Sequence, residues 1–142
     1  MILDTTYLLR LSGIEVATDL LGAIDEGRTT ISFEEIGVSL ISLFEIQAKA
    51  AKLGLPPKRT TDAIEAINNE FRVEPFYNKS IVEISNGLSG KLNDYIDCII
   101  LATAIALKED LATEDTRIKA TEKEIKDRYG INIVNYKELL AN

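Results

Sequence analysis

From Tyr95 to Leu107 the chain reads Tyr-Ile-Asp-Cys-Ile-Ile-Leu-Ala-Thr-Ala-Ile-Ala-Leu, apolar almost without interruption, with one acid, Asp97, inside it. A run of that length and uniformity predicts a helix buried on most sides, and such a helix needs other elements packed around it. An ionised carboxylate among Ile96, Ile99 and Ile100 costs several kcal/mol of desolvation unless something compensates. A cation, a metal or a set of backbone N–H groups would do so. The chain has no histidine, so no imidazolium supplies the charge. The argument therefore leads toward a divalent metal held by carboxylates.

The surroundings of that helix follow from alternating strand and helix signals. Ile2-Leu3 reads as a short strand ending at Asp4, followed by an apolar helical stretch from Tyr7 to Ile24 that Gly13 and Gly22 weaken. Val38 to Ile41 reads as a second strand, with Ser42 as helix cap, Glu45 three residues on, and Gly54 as the stop. After the Pro56-Pro57 turn come a helix from Thr61 to Glu70 and a strand from Phe71 to Phe76. Ser80 with Glu83 opens another helix, and Asp94 caps the apolar one. Leu111 to Thr113 is a fourth strand, Thr116 to Tyr129 a charged helix, Ile131 to Val134 a fifth strand and Tyr136 to Leu140 a last helix. Strands separated by helices pair in parallel. The expected fold is α/β, a three-layer α/β/α sandwich around a parallel sheet of four or five strands. At 142 residues, a single domain over 1–142 is expected.

Ligands of open α/β sheets gather outside the carboxyl ends of the strands. Four acids share that address: Asp4 after the first strand, Glu45 in the helix after the second, Asp97 in the first turn of the apolar helix, and Asp115 just beyond the fourth strand. Hard oxygen donors without nitrogen or sulfur suit Mg²⁺ or Mn²⁺. Each acid also has a plainer reading. Glu45 completes a capping box with Ser42 and stands four residues before Lys49. Asp115 caps the next helix, Asp97 pairs with Asp94 in a cap-like turn, and Asp4 starts an Asx-turn. Singly, none is specific; the pattern is in the set.

The set resembles the PIN domain, a fold of metal-dependent ribonucleases that includes the VapC-type toxins, and the resemblance spans essentially the whole chain. It is carried by Ile2-Leu3-Asp4-Thr5, by Ser39 to Ile46 with Glu45, by Leu111-Ala112-Thr113-Glu114-Asp115, and above all by Asp97 to Ala104. That last segment is close to the family's Asp-Ala-Leu-Ile-Ala-Ala-Thr-Ala, with Cys98 in place of the commoner alanine. The resemblance implies that Asp4, Glu45 and Asp97 are direct Mg²⁺ or Mn²⁺ ligands, that Asp115 completes the site through water, and that Thr113 supports it. It implies RNA cleavage by a metal-activated water, leaving a 5′-phosphate and a 3′-hydroxyl. It further implies a type II toxin with an antitoxin partner; a stand-alone RNA-processing nuclease and a catalytically silent PIN-like binding module are the alternatives. A phosphotransferase with Asp4 as nucleophile would want a second Asp where Thr6 stands. Asp94 is an extra acid whose plainest role is the helix cap.

Charge and composition set limits. A net charge of −7 argues against gripping nucleic acid by bulk electrostatics. Basic contacts to RNA would be local, and Lys49, Lys52, Lys58 and Arg59 are the candidates, though solvated surface is the plainer reading of each. The lone cysteine, Cys98, excludes an intramolecular disulfide and reads as a small core residue. Neither a signal peptide nor a membrane-spanning stretch is expected, and a reducing, cytoplasmic setting follows. Leu8, Leu9, Leu11, Ile14, Val16, Leu20, Leu21 and Ile24, with Ala63, Ile64, Ala66 and Ile67, exceed what one sheet contact needs. A homodimer through these faces is the resulting expectation.

Overall fold

A computed structural model describes residues 1–141. Five parallel strands form one sheet in the order β3-β2-β1-β4-β5. They are β1 (Ile2–Leu3), β2 (Gly37–Ser39), β3 (Arg72–Glu74), β4 (Leu111–Ala112) and β5 (Ile133–Val134). The two-residue period of a strand sorts the core into two layers. Ile2, Leu111 and Ile133 face one side, where they meet α4 (Lys79–Leu88), α5 (Tyr95–Leu107), α6 (Thr116–Lys119) and α7 (Glu122–Tyr129). Leu3, Val38 and Ala112 face the other. There they meet a 3₁₀ segment (Thr5–Ser12), α1 (Leu20–Asp25), α2 (Leu40–Lys52), α3 (Pro57–Glu70) and α8 (Tyr136–Leu139). The α/β expectation and the parallel sheet are met, at five strands.

The apolar run behaves as its composition demands. Cys98 through Ile105 are all buried in α5, and the Asp94 carboxylate caps the helix by accepting from Ile96 N at 2.9 Å. Cys98 is a core residue, fully buried, its thiol pushed up by burial.

Several boundaries differ. The stretch from Tyr7 to Ile24 is not one helix: Gly13, at φ +81°, ends the 3₁₀ segment, and α1 begins only at Leu20. The second strand stops at Ser39, which caps α2 by accepting from Ile41 N at 3.2 Å. Ser42 is therefore a buried residue inside the helix, Glu45 lies in its second turn, and the Ser42–Glu45 capping box does not form. Asn78, not Ser80, caps α4. The charged helix after Thr116 breaks at Ala120–Thr121 into α6 and α7.

The apolar surplus is also smaller than expected. Leu8, Leu9, Leu20, Leu21, Ile24, Ala63 and Ile67 are buried within the chain itself, and Leu11, Ile14, Val16, Ile64 and Ala66 are half-buried. The exposed large apolar side chains lie elsewhere: Phe44 on α2 and Leu53 just after it, Tyr77 and Val82 at α4, and Tyr95 and Leu107 at the two ends of α5.

Candidate metal centre

The carboxyl ends of β1, β2 and β4 open onto one cavity of about 340 Å³. Asp4, Glu45, Asp97 and Asp115 all line it, and so do Asp94, Glu114, Lys49 and Arg117. The four acids expected from the sequence are thus neighbours of one space, although they come from positions far apart in the chain. Thr113 stands directly behind Asp4. A larger groove, about 430 Å³, lies between the 3₁₀ segment, α1 and α3. Its Arg10 is tied to Asp19 at 2.5 Å, and none of the four acids reaches it.

Asp4 is the best-held acid and the most buried of the four, at 7% exposure. One carboxylate oxygen accepts from Thr5 N at 2.8 Å, the Asx-type contact its position allows. The other accepts from Thr113 Oγ1 at 2.6 Å. Thr113 Oγ1 in turn accepts from Asp115 N at 3.0 Å. The threonine hydroxyl is thus fixed at both ends and points its proton at Asp4. Burial pushes the Asp4 carboxyl up, against the pull of these two donors.

Glu45 is anchored by a residue the sequence reading passed over. Thr5 Oγ1 lies 2.5 Å from Glu45 Oε1 and 2.8 Å from Ser42 Oγ, linking the strand end to α2. Burial again raises the carboxyl, opposed by the Thr5 hydrogen bond. Asp115 combines both of its readings: it caps α6, accepting from Arg117 N at 2.8 Å and Ile118 N at 3.3 Å, while lining the cavity. Glu114 accepts from the buried Tyr7 hydroxyl and, at 2.8 Å, from Tyr136 N. That pins the loop after β4 to the 3₁₀ segment and to α8.

Asp97 departs from its expected environment. It sits where α5 emerges from the core and is half-buried, not immersed. Its carboxyl is nevertheless pushed up to about 7, first by burial and then by the charges of Asp4, Asp94, Asp115 and Glu45. The leading influences all act in one direction. Six acids face two cations across this cavity, so positive charge is what the site lacks.

The donor chemistry fits a hard divalent cation: carboxylate and hydroxyl oxygens, with no imidazole in the chain and the only thiol buried. The spacing is open. Among the described residues no three acidic or other ligand-type side chains are gathered closely enough to hold an ion together. Of the basic candidates, only Lys49 reaches the cavity. Lys58 pairs with Asp62 at 2.7 Å, and Arg59 donates to Gly13 O at 3.1 Å. Arg117, two residues beyond Asp115, is the cation the sequence reading did not single out.

A family model described as PIN domain matches residues 1–124. No curated protein matches the chain. Among solved structures it is similar to a toxin–antitoxin complex from Klebsiella pneumoniae, with 22% identity and TM-score 0.61 over 92% of this chain and 93% of that one. It is similar to FitAcB from Neisseria gonorrhoeae, with 21% identity and TM-score 0.66 over 98% and 100%. A third similarity is to VapBC2 from Rickettsia felis bound to a promoter DNA fragment, with 17% identity and TM-score 0.60 over 94% and 96%. At these identities the three likenesses speak for the fold.

Proposed function

The chain belongs to the PIN domain family, and from that premise we propose that it is a Mg²⁺- or Mn²⁺-dependent endoribonuclease, the toxin of a type II toxin–antitoxin pair acting in the cytoplasm. The observation that carries this reading is the acid cavity at the carboxyl edge of β1, β2 and β4, where six carboxylates face two cations. Asp4, Glu45, Asp97 and Asp115 are the residues that would hold the metal. A divalent ion bound there supplies Lewis acidity, activating water and neutralising phosphate charge in an in-line displacement. The chain's own contribution is alignment. Thr113 and the Thr5 amide fix both oxygens of Asp4, Thr5 fixes Glu45, and the α6 cap fixes Asp115. Asp97 is left with the most unbalanced negative surroundings of the set.

The toxin assignment draws on the likeness to a toxin–antitoxin complex from Klebsiella pneumoniae; an antitoxin is the partner this implies. Among the described residues no helix is long and apolar enough to cross a membrane. A homodimer would form through the exposed apolar side chains of α4 and α5. One observation favours the silent binding module instead: the acids are not drawn to ligand spacing.

Cleavage of a generic single-stranded RNA with Mn²⁺, Mg²⁺ or EDTA, paired with melting curves in the same buffers, separates the two. The nuclease reading expects metal-dependent cleavage, a metal-induced rise in melting temperature, and loss of cleavage in Asp97→Asn by about 100-fold or more, the scale of losing a group that acts in the transition state. Metal-free cleavage, or an Asp97→Asn protein as active as wild type, would sink the metal-site assignment.

A further inference from the structure

A polyanion approaching a chain of net charge −7 is repelled except where local cations receive it. At the acid cavity only Lys49 and Arg117 carry positive charge. We infer that these two residues hold the backbone phosphates of the RNA on either side of the cleaved bond; the assignment rests on the nuclease reading above.

Both side chains are exposed and available. Lys49 makes no ion pair among the described residues, and the carboxylate paired with Arg117 is Asp115, at 3.7 Å, beyond hydrogen-bond distance. The cations considered from sequence are engaged or absent from the cavity: Lys58 is paired with Asp62, and Arg59 is folded onto Gly13. Arg10, Arg28, Arg72 and Lys119 all carry closer carboxylate partners, at 2.5 to 2.8 Å.

Topology then places the pair. Lys49 lies one helical turn beyond Glu45 in α2, which follows β2. Arg117 lies in α6, which follows β4. In the sheet order, β1 and its Asp4 stand between β2 and β4. The two cations thus reach the cavity from opposite sides of Asp4, Lys49 from the helix after β2 and Arg117 from the helix after β4. Cations on opposite sides of the acids serve two different phosphates, not one, with the backbone laid across the sheet edge from the β2 side to the β4 side. The guanidinium offers a planar fork and the ammonium a point charge, so Arg117 is the more geometrically demanding of the two.

The test uses the full chain with a single-stranded RNA oligonucleotide and Mn²⁺, across a series of salt concentrations. Lys49→Ala and Arg117→Ala are each expected to raise KM by about tenfold, the usual worth of one hydrogen bond to a charged group, with kcat within about twofold. Each also lowers the slope of log affinity against log salt by roughly 0.7, the value for one single-strand phosphate contact. Lys49→Arg restores KM, whereas Arg117→Lys does so only in part. Lys58→Ala, distant from the cavity, changes neither quantity. Fluorescence anisotropy with the same RNA in the Asp97→Asn background should show matching losses of affinity without turnover. Unchanged KM and salt slope in both alanine variants, in a protein that cleaves normally, overturns the assignment. So does a fall in kcat with KM intact, which would mean a role in the chemical step. A wild-type protein that cleaves nothing with metal overturns the nuclease reading itself and this assignment with it.

Discussion

The proton on Asp97 is the residue-scale quantity that the fold carries into the neutral range. Its carboxyl is pushed up to about 7 by burial and by four neighbouring acids, and burial raises Asp4 and Glu45 as well. A carboxyl raised in the folded state binds more protons there than when unfolded, so stability falls as pH rises from its ordinary value to its folded one. Asp19, Glu109 and Glu138 are shifted the other way, and their contribution is complete by about pH 5. With no histidine in the chain, the interval between pH 5 and 7 belongs to the cavity acids. Metal-free melting temperature is expected to drop across that interval, and Asp97→Asn to flatten the drop. Calorimetry that finds wild-type stability level or rising from pH 5 to 7 would contradict this. The acids themselves were readable in the sequence, because strand ends and helix starts are local signals. Their partners were not: Thr5 meets Glu45 across 40 positions and Tyr7 meets Glu114 across 107, contacts that leave no periodicity to detect.

At the scale of elements, the decisive local event is the break at Gly13. A continuous apolar pattern from Tyr7 to Ile24 reads as one helix because periodicity counts side chains and ignores backbone sign. Gly13 adopts φ +81°, and a Cβ there would lie 1.8 Å from the Arg59 guanidinium. The guanidinium is the mobile end of a side chain and can retreat, so the backbone conformation sets most of the cost. Gly13→Ala should destabilise by about 1–2 kcal/mol, the usual cost of an L-residue in the left-handed region, and Gly13→Asn by less. Denaturant unfolding measures both; an alanine variant as stable as wild type would refute the strain. The α2 cap shows a second limit of local reading. Ser39 and Ser42 are both good caps, and the choice falls to Ser39 because β2 pairs with β3 through Ser39↔Glu74, a tertiary fact. By contrast α5 was read to its boundaries, since its apolar run begins at a capping Asp and nothing in it competes.

For the whole molecule, the chain covers the helical faces once expected to be spare. Of the exposed large apolar side chains, Phe44 and Leu53 lie on or just after α2 and Leu107 at the end of α5, while Tyr77 at 69%, Val82 at 42% and Tyr95 at 45% lie on or beside α4 and the start of α5. Asn86 Nδ2 donates to Val82 O and to the Tyr95 hydroxyl, so Val82 and Tyr95 share one surface. Light scattering at micromolar concentration should give twice the chain mass, and Val82→Glu with Tyr95→Glu should give a folded monomer whose melting temperature no longer depends on protein concentration. A wild-type monomer rules the association out. The central position of β1 has a different consequence, one of timing. A chain is made from its N-terminus, so Asp4 leaves the ribosome well before Thr113. The hydroxyl that orients it belongs to Thr113, 109 positions later, and β4, its neighbour in the sheet, comes just before that threonine. Every shorter nascent chain holds the first acid of the cavity without the partner that aims it. The nuclease proposed above would in this way be kept blunt while still attached to the message that encodes it.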